Sequence, residues 1–177
     1  MSEIGSVYLL EILKGFKGLK SNAEKAIEQL SDEELHYTPD PETNSTAIIV
    51  KHIAGNLYSR FTDFLISDGE KPNRNRDNEF IDEQWSRIQL MEYWEGGWQI
   101  LFSTLQQLTE DDLTKTVYIR SEAHTVIRAL QRQLAHYAYH CGQIVFLAKL
   151  IKSDRFKNLS IPRGKSNEFL SSPPKEK

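Results

Sequence analysis

The sequence predicts an all-α fold in which four long helices form a bundle. Apolar residues recur every three or four positions in four separate segments, a spacing that places them on one face of a helix. Residues 69–80, between the second and third segments, are polar and form a longer connection than antiparallel helices usually need. These observations predict a four-helix bundle with a long crossover between helices 2 and 3.

The first two predicted helices cover residues 4–30 and 47–65. The first ends before Ser31, which forms the pattern of a capping box with Glu34 and starts a short extra turn. The second carries His52 within an apolar run. A buried imidazole without a partner is costly there, so His52 needs a hydrogen bond or a metal.

The third and fourth predicted helices cover residues 82–108 and 124–152, and residues 116–119 between them are expected to be extended. The pair Gly96–Gly97 interrupts the third helix at a cost of about 1 kcal/mol per glycine relative to alanine. Such a pair suggests a kink or the close approach of another backbone, and close packing is the simpler reason. The tail 153–177 is polar and is expected to be irregular, within a single domain that spans residues 1–177.

Charge and composition narrow the classes of partner. The formal net charge is −3, from 22 basic and 25 acidic residues spread along the chain, and no cationic stripe for nucleic acid is present. Arg60, Arg74 and Arg76 gather in the middle of the sequence, but acidic residues alternate with them, which predicts a solvated surface.

The cellular location is expected to be the cytoplasm, with no association with membranes. No apolar run approaches the roughly 18–20 residues that cross a bilayer. Cys141 is the single cysteine, and no secretory signal pattern precedes the first helix.

Three histidines form the candidate site. His136 and His140 are four positions apart, so on a helix their rings emerge on one face, one turn apart. A zinc or nickel centre usually has at least three protein ligands, and His52 on another helix is the candidate for the third. The alternative is that each is an ordinary hydrogen-bonded histidine. His36 and His124 are expected to face solvent.

Further polar residues lie on the same helical faces as these ligands. Asn56 and Arg60 follow His52 at intervals of one turn, and Gln143 follows His140 by three residues. We expect them to orient a ligand or to bind substrate. Ordinary interhelical hydrogen bonds, or a solvated cation for Arg60, are the alternatives.

The sequence around His136 disfavours a zinc protease, because no glutamate follows it to act as general base. A metal with three neutral ligands keeps its charge and an open position, so hydrolysis and thiol transfer are both accessible. No catalytic side chain is assigned, since the reactive group would be a metal-bound water or thiolate.

Two sequence motifs resemble the DinB/YfiT-like superfamily across nearly the whole chain. They are Val50-Lys51-His52-Ile53-Ala54-Gly55-Asn56-Leu57 and His136-Tyr137-Ala138-Tyr139-His140-Cys141-Gly142-Gln143-Ile144. Residues 61–65, 68–72 and 159–166 are similar to those of a bacterial branch whose function is not assigned.

The resemblance implies an up-down-down-up bundle, homodimers, and a metal centre at the positions of His52, His136 and His140. Nickel or zinc is expected there, with iron or manganese as alternatives. Relatives include transferases and isomerases that use low-molecular-weight thiols, and others labelled as metal-dependent hydrolases. Three hypotheses follow: an enzyme that activates a small thiol for transfer to an electrophilic small molecule, a metal-hydroxide hydrolase, and a non-catalytic metal- or ligand-binding stress protein.

Overall fold

The computed structural model describes residues 3–171, and this part of the chain is mainly helical with one small sheet. Its α-helices are α1 (Glu3–Ile27), α2 (Asp32–Leu35), α3 (Thr46–Phe61), α4 (Arg87–Gln107), α5 (Val126–Lys152) and α6 (Ser166–Ser171). The strands β1 (Thr116–Ile119) and β2 (Glu122–Thr125) pair antiparallel between α4 and α5. The predicted long helices 1 to 4 therefore correspond to α1, α3, α4 and α5.

The four long helices share one aromatic core. Helix α3 packs most extensively on α4, and α1 on α5, while α3 also contacts α5 and α1 contacts α4. Phe16 of α1 lies 6.4 Å from Trp98 of α4 and 6.0 Å from Tyr137 of α5, measured between ring centroids. All three rings are fully buried. Phe61 of α3 lies 6.5 Å from the same Phe16 ring. This core therefore joins α3 to α5, the two helices that carry the three histidines.

Helices α3 and α4 come close together because α4 lacks side chains at one point. A Cβ added to Gly97 would lie 3.1 Å from Leu57 Cβ and 3.2 Å from the carbonyl oxygen of Ala54. Close approach of another backbone is therefore confirmed for Gly97, whereas Gly96 faces the side chain of Tyr58.

Local capping places two helix ends inside the predicted bounds. Helix α4 begins at Arg87 and not near residue 82, because the Ser86 hydroxyl accepts from the Gln89 N–H and Gln89 bonds back to the backbone of Ser86. Helix α3 ends at Phe61, four residues early, since Asp63 adopts a left-handed conformation with φ 50°.

A β-hairpin replaces the predicted start of the last helix. The extended segment 116–119 is confirmed as β1, but residues 122–125 pair with it, so α5 begins only at Val126. The turn residues Arg120 and Ser121 both have positive φ values, which residues other than glycine rarely adopt. Both carboxylate oxygens of Asp68 accept their backbone N–H groups and stabilise the turn.

The predicted tail is not wholly irregular, because α6 forms within it at Ser166–Ser171. Residues 172–177 of that tail lie outside the described residues. Every helix between residues 3 and 171 is too short or too polar to span a lipid bilayer.

Candidate metal centre

Helix α3 delivers His52 to the protein interior. The helix starts where the Ser45 hydroxyl accepts from the N–H of Ile48, and it runs between α4 and α5. Nearly all its residues are buried, and His52 is only 3% exposed. The predicted apolar run is therefore a central helix, and the imidazole within it lies away from bulk water.

Helix α5 presents the other two imidazoles towards His52. Its first turn is capped by the Thr125 hydroxyl, which accepts from the N–H of Arg128. The ring centroids of His136 and His140 lie 5.3 Å and 4.8 Å from that of His52, and 4.7 Å from each other. The structure thus brings together all three predicted ligands.

The Nε2 atoms of the three rings converge. The His136 Nε2 atom lies 3.3 Å from that of His52 and 3.1 Å from that of His140. The potential ligand atoms of the cluster all lie within 4.8 Å of one another. Two nitrogens bound to one metal at about 2.0–2.1 Å would lie about 2.8–3.4 Å apart, depending on the bond angle. The observed separations from His136 Nε2 fit a shared ion.

Hydrogen bonds at the opposite ring atoms determine which nitrogen is free. His52 Nδ1 lies 2.9 Å from a carboxylate oxygen of Glu79, and His140 Nδ1 lies 2.8 Å from the amide oxygen of Gln143. Both partners are acceptors, so each Nδ1 donates its proton and each neutral ring keeps a lone pair on Nε2. Lone pairs that converge in this way are the donor set that a metal cation requires.

Burial keeps the two α5 imidazoles neutral. Burial first, and then the neighbouring His140 and His52, together lower the pKa of His136 to about 3. Burial also lowers the pKa of His140, against the opposing effect of its hydrogen bond with Gln143. Both rings are therefore in the form that binds metal at neutral pH.

The structure adds Glu79, which sequence reasoning missed. Glu79 lies in the crossover and is only 6% exposed, although that segment has the polar composition of a loop. Burial acts to raise its pKa, but hydrogen bonds from His52 and Arg74 outweigh this and lower it. No periodicity marks a single buried acid within a polar segment, so the sequence contains no signal that would have identified it.

The prediction of a solvated surface in the middle of the chain is wrong for two arginines. The side chains of Arg60 and Arg74 are both buried, with 5% of their surface exposed. They form ion pairs with Glu70, at 3.0 Å and 3.2 Å respectively. The acidic residues near them in the sequence, Glu70 and Glu79, form ion pairs with these two buried side chains.

The three predicted neighbours of the ligands have different positions. Gln143 forms a hydrogen bond with His140. Asn56 lies one turn from His52 and accepts hydrogen bonds from Gln133 and Tyr137, at 2.7 Å and 2.9 Å. Arg60 turns towards the crossover, where it donates to the Gly69 carbonyl.

The remaining histidines and the cysteine lie apart from the cluster. His124 is 4% exposed, so the expectation that it faces solvent is wrong: β2 turns it inward opposite Val117. His36 is partly buried and bonds to Asp82 at 2.9 Å. Cys141 is buried as expected, and burial raises the pKa of its thiol to about 12.

A cavity of about 660 Å³ lies between residues 39–44 and α5, and none of the three histidines lines it. Gln143 and Tyr139 form part of its wall, and the same two residues contact His140. Its volume falls in the range of about 300–1,000 Å³ that is typical of small-molecule sites.

Residues 3–165 match the family described as "Protein of unknown function (DUF1572)". No curated protein matches the chain.

Proposed function

The chain belongs to the family described as "Protein of unknown function (DUF1572)", and from this premise we propose that it is a metal-dependent enzyme of the DinB/YfiT-like type. It binds one divalent transition metal, nickel or zinc, through His52, His136 and His140. With it, the enzyme activates a small thiol for transfer to an electrophilic small molecule.

The observation that carries this proposal is the convergence of three imidazole Nε2 atoms from two helices. Each Nδ1 of His52 and His140 is already a donor to Glu79 or Gln143, so Nε2 is left as an acceptor. A proton on His136 Nε2 serves one of these two acceptors at a time, whereas a divalent cation would engage all three lone pairs at once. The proposal therefore rests on geometry and tautomers, not on sequence spacing alone.

The chain's own residues support an external thiol as the nucleophile. When bound, a divalent metal with three neutral ligands supplies positive charge that lowers the pKa of a thiol or a water in its open position. The Cys141 thiol has a pKa raised to about 12 by burial, so it stays protonated and does not compete. Glu79 is engaged by His52 and Arg74, so it is not free to act as a base for water.

Finer features of the proposal are supported by the same observations. Helices α1 and α5 run parallel, since Tyr8 contacts Ile127 and Gly15 faces Leu134. Helices α3 and α4 also run parallel, since Tyr58 contacts Gly96 and Phe61 contacts Thr104. Helices α3 and α5 run antiparallel, since His52 contacts His136 and Asn56 contacts Gln133, and these directions are the ones expected of an up-down-down-up bundle. The DinB/YfiT-like resemblance adds a homodimer. A thiol-dependent reaction favours the cytoplasm, where small thiols are kept reduced. The cavity beside Gln143 supports a small-molecule substrate.

The test measures thiol transfer in protein purified without an affinity tag. Elemental analysis first gives the metal content of the wild type and of His52→Ala. Turnover of an electrophile with bacillithiol or a related thiol is then followed with nickel or zinc and after chelation. We expect turnover that needs both thiol and metal and that His52→Ala loses. Absent turnover, or turnover that does not need the metal, would overturn the proposal.

The same assay separates the two alternatives. Metal-dependent cleavage of esters or amides without any thiol would favour a hydrolase instead. A metal whose removal lowers the melting temperature, in a protein without measurable turnover, would favour a non-catalytic binding role.

A further inference from the structure

Glu79 reaches the metal centre from the crossover and from neither of the helices that carry the ligands. Its Oε2 atom accepts from His52 Nδ1 at 2.9 Å. Arg74 holds the same carboxylate with two hydrogen bonds, from Nε to Oε1 and from the terminal nitrogen to Oε2, both at 2.8 Å. Both carboxylate oxygens are thus engaged, and the side chain has a single orientation.

Helix α3 makes room for this carboxylate at Gly55, three residues after His52. A Cβ added to Gly55 would lie 2.5 Å from Glu79 Oε1 and 2.9 Å from its Cδ. Because Arg74 clamps the carboxylate and Glu79 is only 6% exposed, the side chain has little space to withdraw. Any side chain at position 55 would therefore displace Glu79 from His52.

The ion pairs continue from Glu79 to the surface. Arg74 also pairs with Glu70 at 3.2 Å, and Glu70 pairs with Arg60 of α3 and with Arg120 of the hairpin turn, at 3.0 Å and 2.9 Å. The crossover is therefore tied to α3 at two places, at His52 through Glu79 and at Arg60 through Glu70.

We propose that Glu79 is the positioning residue of the ligand His52, and that metal occupancy and packing of the crossover stabilise each other through it. This inference rests on the proposed metal centre. The carboxylate holds His52 in the tautomer with Nε2 free and increases the basicity of that nitrogen. Because coupling between two sites is reciprocal, a bound metal strengthens the contact of His52 with Glu79 and so holds residues 70–80 on α3.

The test compares two variants that disturb Glu79 in different ways. Glu79→Gln keeps the shape of the side chain and removes its charge. Gly55→Ala keeps every charge and displaces the carboxylate. Glu83→Gln and Gly18→Ala are the matched controls, since Glu83 pairs with Lys51 and nothing lies within 4 Å of a Cβ added to Gly18.

Three measurements follow the metal without relying on activity. Competition with a chromophoric chelator gives the dissociation constant for Zn²⁺. The visible spectrum of the Co²⁺-loaded protein reports ligand geometry, and limited proteolysis with and without Zn²⁺ reports the packing of residues 70–80. We expect Glu79→Gln and Gly55→Ala to bind Zn²⁺ about 10–100-fold more weakly. They should also shift the Co²⁺ spectrum and lose the protection by Zn²⁺, while both controls resemble the wild type.

The outcomes distinguish this inference from the proposed function. If the wild type binds Zn²⁺ and Glu79→Gln binds it equally well with the same Co²⁺ spectrum, Glu79 has no positioning role, but the metal centre stands. If the wild type itself fails to bind Zn²⁺, Ni²⁺ and Co²⁺, both are overturned. Should Gly55→Ala not fold, Glu79→Gln and its control decide the question alone.

Discussion

The hydroxyl of Tyr58 on α3 lies against Gly96 on α4, in the space that a Cβ at position 96 would occupy. The Tyr58 ring stacks on Tyr93, whose centroid is 5.0 Å away and which lies three residues before Gly96 on α4. This pair of rings fixes the hydroxyl above the glycine. This contact explains the glycine at position 96. The close approach of Leu57 and Ala54 explains the glycine at position 97.

Gly96→Ala should therefore destabilise the protein. Overpacking of the interface by the methyl group costs about 1–3 kcal/mol, and alanine gains about 1 kcal/mol within a helix. We therefore expect the free energy of unfolding to fall by up to about 2 kcal/mol. Urea denaturation measures the difference. Gly18→Ala, with an open Cβ position, should be neutral or stabilising, and equal results for the two variants would contradict the packing argument.

Removal of the metal should lower thermal stability. A ligand present at 100 times its dissociation constant stabilises the folded state by about 2.7 kcal/mol. In a domain of this size that corresponds to a melting temperature higher by about 5–10 °C. Differential scanning calorimetry with saturating Zn²⁺ and with excess chelator measures the shift. His52→Ala should show no such shift, and a wild type insensitive to the chelator would contradict the prediction.

Asp112 should make stability depend on pH in the acid range. The Lys115 ammonium, followed by the N–H and hydroxyl of Thr109, lowers the pKa of Asp112 to about 2. A carboxyl whose folded pKa lies below its unfolded value stabilises the protein above about pH 4, and this contribution is lost as the pH falls towards 2. The Asp112 carboxylate accepts from the backbone N–H and the hydroxyl of Thr109 in a capping box. Asp112→Asn should therefore cost about 1 kcal/mol at pH 7, the usual value of a helix cap.

The free energy of unfolding is compared between the wild type and the variants at each pH. Urea unfolding of the wild type and of Asp112→Asn should give free energies that converge between pH 4 and pH 2. Asp111→Asn, at the exposed neighbouring position, is the control and should differ little from the wild type at any pH. A constant difference between the wild type and Asp112→Asn down to pH 2 would rule out the carboxylate as its source.

The Tyr137 hydroxyl should contribute to stability and not to metal binding. It donates to Asn56 Oδ1 at 2.9 Å inside the core, where Gln133 donates to the same oxygen. Tyr137→Phe should lower the free energy of unfolding by about 0.5–1.5 kcal/mol. Its Zn²⁺ affinity should stay at the wild-type value, as chelator competition measures. Tyr139→Phe, at a position 64% exposed, should change neither quantity.

Much of the fold was predictable because it depends on local periodicity. The apolar spacing located α1, α3, α4 and α5, and capping patterns located the turn at Ser31. The helix starts at Arg87 and Val126 were placed too early. A capping serine and a hairpin without glycine in its turn both outweighed the helical pattern there. Hairpin pairing depends on Asp68, about 50 residues away, which no local pattern contains.

The sequence alone determined that His136 and His140 share a helix face, because 3.6 residues per turn make that relation local. It also marked His52 as unusual within an apolar run. Only the tertiary structure decided that the three Nε2 atoms converge and that His124 is buried. It also decided that Glu79 is buried, where it accepts hydrogen bonds from His52 and from Arg74. The physical reason is that burial of a charge depends on which partner the folded chain brings within hydrogen-bond distance. The local sequence of a polar crossover does not indicate which residue that partner is.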